Sequence, residues 1–98
     1  MDVTFILNGI TFIWNEQKAK QYLLKHKGIN FERATEAFFD PFLVVVDARR
    51  NYEARDAVIG MDKNNYLLFV VHIQQDNDMI RIISARQATR QERIYYEN

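Results

Sequence analysis

Two β-prone segments, Val3 to Leu7 and Ile10 to Trp14, open the chain and flank Asn8-Gly9. Asn-Gly supplies the positive φ that a type I′ turn needs at both central residues, so this stretch predicts a hairpin. The apolar spacing then lengthens to that of a helix. Asn15 caps a helix to about Lys27, with Glu16 in its first turn and Lys25, His26 and Lys27 in its last. Both placements suit the helix dipole, and Gly28 is a natural stop. Ala19, Tyr22, Leu23 and His26 form its apolar stripe. Asn30 caps a second helix, in which Phe31, Ala34, Thr35 and Phe38 fall at i, i+3, i+4 and i+7. Asp40-Pro41 ends it, because proline disfavours helix at the preceding residue.

Strand patterns follow. Phe42 to Val46 predicts a buried strand, Asp47 to Tyr52 a polar connection, and Ala54 to Met61 a second strand. Turns at Asp62 to Asn65 and Gln75 to Asp78 bracket a third, Tyr66 to Gln74. The fourth, Met79 to Ala85, is apolar on both faces, as in a strand covered on two sides. A period of two puts Arg81 with Met79, Ile83 and Ala85, and sets Arg86 with Ile80, Ile82 and Ser84. A guanidinium in such a strand must find a partner or reach solvent. The chain then turns at Arg86 to Ala88 and starts a short helix, where Thr89 and Glu92 form a capping box that contributes about 1 kcal/mol. Arg90, Arg93, Tyr95 and Tyr96 decorate that helix. The prediction is one α+β domain over residues 1–98. It comprises an N-terminal hairpin, two helices, an antiparallel four-stranded meander and a short C-terminal helix, with the helices packed against a curved sheet.

Composition narrows the chemistry. The absence of cysteine excludes disulfides, thiolate metal sites and cysteine nucleophiles. The first residues lack the basic start of a signal peptide, and the longest apolar run is far short of a membrane span, so a cytoplasmic protein without membrane contact is expected. Thirteen basic residues balance thirteen acidic ones. Any nucleic-acid contact therefore rests on a local patch, such as the arginine-rich end from Met79 onward.

Glycine-rich phosphate loops and HExxH are absent, Ser84 is the only serine, and two histidines alone make no metal site. No cofactor is expected. What remains suits metal-free cleavage of RNA: a base for the 2′-hydroxyl, cations for the crowded phosphorane, and an acid for the leaving oxygen. Arginine fits the second task because its planar fork grips phosphate and stays charged. Arg55, Arg81 and Arg86 are the candidate cations, and Glu53 or His26 the candidate proton carriers. Each has a plainer reading. Arg81 can pair with an acid across the sheet, Glu53 and Arg55 can be a salt bridge, and His26 can serve the helix dipole. His72 reads as a satisfied sheet histidine and Lys18 as part of a solvated helix face. Tyr95 or Tyr96 could stack on bases.

Taken in order, these segments resemble a known family. Phe12-Ile13-Trp14-Asn15 with Lys18, Lys25 through Glu32, and Phe39-Asp40-Pro41 carry the first half of the likeness. Glu53-Ala54-Arg55, Val58-Ile59-Gly60, Val70-Val71-His72, Ile80 through Arg86 and Ala88-Thr89-Arg90 to Glu92-Arg93 carry the second. The chain resembles the BrnT family, the toxin half of bacterial type II toxin–antitoxin pairs. The resemblance implies a RelE-like fold and a ribonuclease that arrests translation. It implies neutralisation by a BrnA-like ribbon-helix-helix antitoxin, with DNA touched only through that partner. By position it points to Lys18, His26, Glu53, Arg55, Arg81 and Arg86, and the tail adds Arg90 and Tyr96 as substrate contacts. An alternative is a non-catalytic binding module that acts only inside a repressor complex.

Overall fold

The computed structural model describes residues 1–25 and 29–98. Strands β1 (Asp2–Leu7) and β2 (Ile10–Asn15) form the hairpin, in register from Asp2 opposite Asn15 to Leu7 opposite Ile10. Asn8 and Gly9 turn it with φ of 51° and 80°, the consecutive left-handed pair that these two residue types adopt at least cost. Helix α1 (Glu16–Lys25) starts where Asn15 Oδ1 accepts the Lys18 amide at 3.0 Å. Its expected continuation to Lys27 and the stop at Gly28 lie outside the described residues. Helix α2 (Phe31–Glu36) starts where Asn30 Oδ1 accepts the Arg33 amide at 2.8 Å. It tightens into a 3₁₀ turn over Ala37–Phe39 before Asp40-Pro41 ends it.

Strands β3 (Val44–Asp47), β4 (Asp56–Met61), β5 (Leu67–Gln74) and β6 (Ile80–Gln87) follow. They pair antiparallel in sequence order, and helix α3 (Arg90–Glu97) closes the chain with its capping box formed. The expected four-stranded meander is not a sheet by itself. Strand β2 runs parallel to β6, with Phe12 opposite Ile80 and Ile13 opposite Arg81. The result is one mixed, six-stranded sheet ordered β1-β2-β6-β5-β4-β3. The inner edge of the hairpin and the free edge of β6 satisfy each other's backbone groups, which neither could do alone.

A second correction concerns Phe42 to Val46. Phe42 donates its amide to Asp40 Oδ1 at 2.8 Å, and the Leu43 amide donates to the Asp40 carbonyl at 3.1 Å. That turn delays the strand to Val44, and β3 lies at the sheet edge with Phe42 and Val45 exposed. A run of valines can therefore serve a half-covered strand as well as a buried one.

The core lies between the sheet and the two N-terminal helices, around Phe12, Trp14, Phe31, Val58, Leu68, Val70, Ile82 and Ala85. Edge-on ring contacts tie the layers together, Trp14 to Phe31 at 5.9 Å and Phe12 to Phe38 at 5.2 Å. The 3₁₀ turn comes so close to β4 that a Cβ on Gly60 would meet the Ala37 carbonyl oxygen at 2.5 Å, so only glycine fits there. Helix α3 packs on β4. On the sheet face turned away from the core, Ala57 and Ile59 alternate with core-facing Val58 and are themselves buried.

Candidate active site

The pairing of β5 with β6 decides where the arginines point. It runs Gln74–Ile80, Ile73–Arg81, His72–Ile82 and then skips to Val71–Ser84, leaving Ile83 as an extra residue. Such a bulge resets the alternation along a strand. Ile82 and Ala85, three apart, are both buried in the core. Arg81, Ser84 and Arg86 consequently all face away from the N-terminal helices. The expected partition, with Arg81 beside Ala85 and Arg86 beside Ile82, is corrected by this one residue.

Arg55 reaches the same face by another route. Beyond β3 and β4 the hairpin continues as a narrow ribbon, so the strand expected from Ala54 starts in the sheet at Asp56. Ala48 donates to the Arg55 carbonyl at 2.9 Å, and Arg50 and Glu53 exchange amide bonds at 3.2 and 2.9 Å. Asn51 and Tyr52, with φ of 51° and 65°, make the tip. Asp56 pairs with His72, so Arg55 falls in line with Ile73, which pairs with Arg81. Neighbouring strands lie about 4.8 Å apart, which puts the Arg55 and Arg81 backbones roughly 10 Å from each other. In their present rotamers the two side chains diverge: Arg81 reaches past β2 to Asp2 on β1, and Arg55 turns to Glu53 on the ribbon. Arg86 lies five residues along β6 from Arg81, roughly 16 Å at about 3.3 Å per residue, too far to share one phosphate.

Each of the three guanidinium groups already has a carboxylate. Arg55 Nη2 lies 3.0 Å from Glu53 Oε1, and Arg81 Nη2 lies 2.9 Å from Asp2 Oδ2. Arg86 is held by both Glu92 oxygens, at 2.7 and 2.9 Å, and sits 4.3 Å over the Phe69 ring. These pairs are not equivalent. The Glu92 side chain is 20% exposed and also accepts the Thr89 amide at 2.8 Å. Burial pushes its carboxyl up, but the bonds from Arg86 and Thr89 outweigh this and hold it below its usual 4.5. Asp2 is 45% exposed and Glu53 58%. Exposed pairs of this kind contribute about 0–1 kcal/mol, so an incoming anion can take the carboxylate's place.

A cleft of about 380 Å³ opens beside Arg55, lined also by Asp47, Arg49, Asp56, His72 and Ile73. His72 meets Phe38 edge-on at 4.9 Å, and its Nδ1 lies 3.4 Å from the Val70 carbonyl. Burial depresses its pKa below 6.5, which outweighs the Val70 carbonyl and Asp56. Lys18 and Arg90 are exposed, on α1 and at the start of α3. Tyr96 donates its hydroxyl to Asp40 Oδ2, which also accepts the Met61 amide. Burial and that carboxylate raise the Tyr96 pKa to about 12. His26 lies outside the described residues. Arg49 and Tyr52 were hidden in the stretch read as a polar connection, although Asn51-Tyr52 between two arginines and a glutamate was the available signal.

Among the described residues, no cluster of three His, Asp or Glu side chains is arranged to hold a metal ion, and no helix is long and apolar enough to cross a membrane. No curated protein matches the chain. The family model described as "Ribonuclease toxin, BrnT, of type II toxin-antitoxin system" matches residues 14–92. That span runs from the end of β2 into α3 and holds all three arginines. With a family match over most of its length, the chain belongs to the BrnT family of type II toxin–antitoxin ribonuclease toxins.

Proposed function

We propose that this protein is a cytoplasmic, metal-independent endoribonuclease toxin of RelE-like fold that cleaves RNA and so arrests translation. A BrnA-like ribbon-helix-helix antitoxin neutralises it and supplies any contact with DNA. The observation that carries the reading is the row Arg55–Ile73–Arg81 on the sheet face turned away from the core, two cations with backbones roughly 10 Å apart. Each is paired with a part-exposed carboxylate whose displacement would free it to turn toward a shared phosphate.

The chemistry follows from that row. A backbone phosphate displaces Glu53 and Asp2 and is gripped by Arg55 and Arg81, whose charge offsets that building on the phosphorane. Glu53, freed beside the bound phosphate, takes the proton of the 2′-hydroxyl. The 2′-oxygen attacks phosphorus, the bond to the 5′-oxygen breaks, and that oxygen takes a proton from solvent water while Glu53 returns its own to solvent. The products are a 2′,3′-cyclic phosphate and a 5′-hydroxyl. Arg86 in this reading holds the fold and does not touch the phosphate, while Arg90 meets the RNA backbone further out. Lys18, on α1 on the other side of the sheet, meets it only where the RNA wraps the sheet edge.

One observation favours a second reading: all three arginines are ion-paired within the chain. In that case the basic positions serve only to dock a partner, and the domain is a non-catalytic part of a repressor complex. Purified protein incubated with RNA in excess chelator separates the two. Cleavage with cyclic-phosphate ends supports the enzyme. Intact RNA, with retained binding to the antitoxin, supports the module.

A further inference from the structure

The ribbon beyond β3 and β4 carries a feature that folding does not explain. Tyr52 occupies the tip with φ of 65°, and its relative exposure is 104%. A bulky residue in the left-handed region is disfavoured, and glycine is what a tight two-residue turn prefers at this position. The ring therefore strains the backbone without covering any apolar surface. Strain of this kind collects at functional sites. Its surroundings are charged on both sides: Arg49 and Arg50 are exposed just before it and Glu53 follows it, and Arg49 joins Arg55, with Asp47 and Asp56, in lining the adjacent cleft. Arg49 has only a loose 3.7 Å pair with Asp47, both side chains being largely exposed.

We propose that the Tyr52 ring is a stacking platform for a base of single-stranded RNA, next to the phosphate held by Arg55 and Arg81. This rests on the ribonuclease reading above and adds the form of the substrate. An aromatic ring presented among arginines suits unpaired nucleotides, whose bases stack on the ring while the guanidinium groups follow the backbone. Tyr52 stands at the turn three residues from Arg55, at most roughly 10 Å along the ribbon, so stacked base and gripped phosphate belong to nearby nucleotides. In a duplex the bases are already stacked on one another and cannot reach the ring. An acidic protein partner would use the arginines but gain little from a lone ring held clear of any hydrophobic surface.

Three variants test the assignment. Tyr52→Gly removes the ring and relieves the strained φ, so the fold is kept or stabilised; Tyr52→Phe and Tyr52→Trp keep the ring. Binding is read with a single-stranded RNA made uncleavable by 2′-deoxy substitution, and turnover with its all-ribose counterpart. Tyr52→Gly is expected to weaken binding and raise KM about 5- to 100-fold, as loss of one stacked base predicts, with kcat little changed. Tyr52→Phe and Tyr52→Trp should bind like the parent, and the tryptophan's fluorescence should be quenched by RNA. Unchanged affinity in Tyr52→Gly, or equal loss in Tyr52→Phe, overturns the platform while leaving the nuclease intact. A parent protein that neither binds nor cuts single-stranded RNA overturns both readings together.

Discussion

The two ends of β6 hold the same residue type in opposite circumstances. At one end Arg81 shares a row with Arg55, and their carboxylate partners are a residue at the chain start and a residue in the β3–β4 ribbon, both largely exposed. At the other end Arg86 is clamped by the capping-box glutamate of α3 and stacked on Phe69. The first arrangement costs little to dissolve. The second joins an ion pair, a helix cap and a ring contact, so removing any one weakens the others. Identical side chains on one strand thus differ in how firmly their partners hold them, and in the proposed function the one with the more exposed partner is the one that meets the ligand.

The largest break in this comparison should come from Arg55→Ala or Arg81→Ala. Each is expected to lose about 100-fold or more in RNA cleavage, the scale of removing one group that stabilises transition-state charge. Unfolding free energies should change by only about 1 kcal/mol, because the carboxylate of each lost pair is well exposed although the arginine is mostly covered. Wild-type cleavage by either variant would remove the row from the mechanism.

Arg86→Ala should behave in the reverse sense. From the sequence alone this variant is expected to abolish growth arrest and cleavage while leaving stability nearly unchanged. The contacts of Arg86 point elsewhere: loss of charged hydrogen bonds, discounted for its partial exposure, costs about 1–2 kcal/mol. That lowers Tm by roughly 4–16 °C for a domain of this size, and cleavage per folded molecule should stay near wild type. Thermal melts beside initial rates, corrected for folded fraction, read both quantities.

The smallest effects are titrations at the α3 end. The folded-state pKa of Glu92 lies below 4.5, so its contribution is present at neutral pH and is lost as pH falls through that lowered value. Tyr96 works in the other direction. Its folded pKa of about 12 exceeds the ordinary 10.0, so its contribution is full below pH 10 and declines as pH rises toward 12. Denaturant melts across pH should show both slopes, with Glu92→Gln flattening only the acid one. Tyr96→Phe should flatten the alkaline one and part of the acid one, because the Asp40 carboxyl, pushed up by burial, is held down in part by the Tyr96 hydroxyl.

Much of this was legible residue by residue. Asn8-Gly9, Asn30, and Thr89 with Glu92 act through bonds to residues two or three positions away, and local chemistry of that range can be read from a sequence. The face assignment of β6 could not be read this way, because the bulge at Ile83 is fixed by the register of β5. Nor could the parallel pairing of β2 with β6, which joins segments nearly 70 positions apart. Arg81 illustrates the limit well. Its need for a partner was evident from its burial pattern, but the partner, Asp2, lies at the other end of the chain.

The most direct test follows the arginine Nε–H signals by NMR while an uncleavable, 2′-deoxy-substituted single-stranded RNA is added. The account predicts that Arg55 and Arg81 shift together in a saturable manner while Arg86 stays with Glu92. Movement of Arg86, with Arg55 and Arg81 undisturbed, would contradict it.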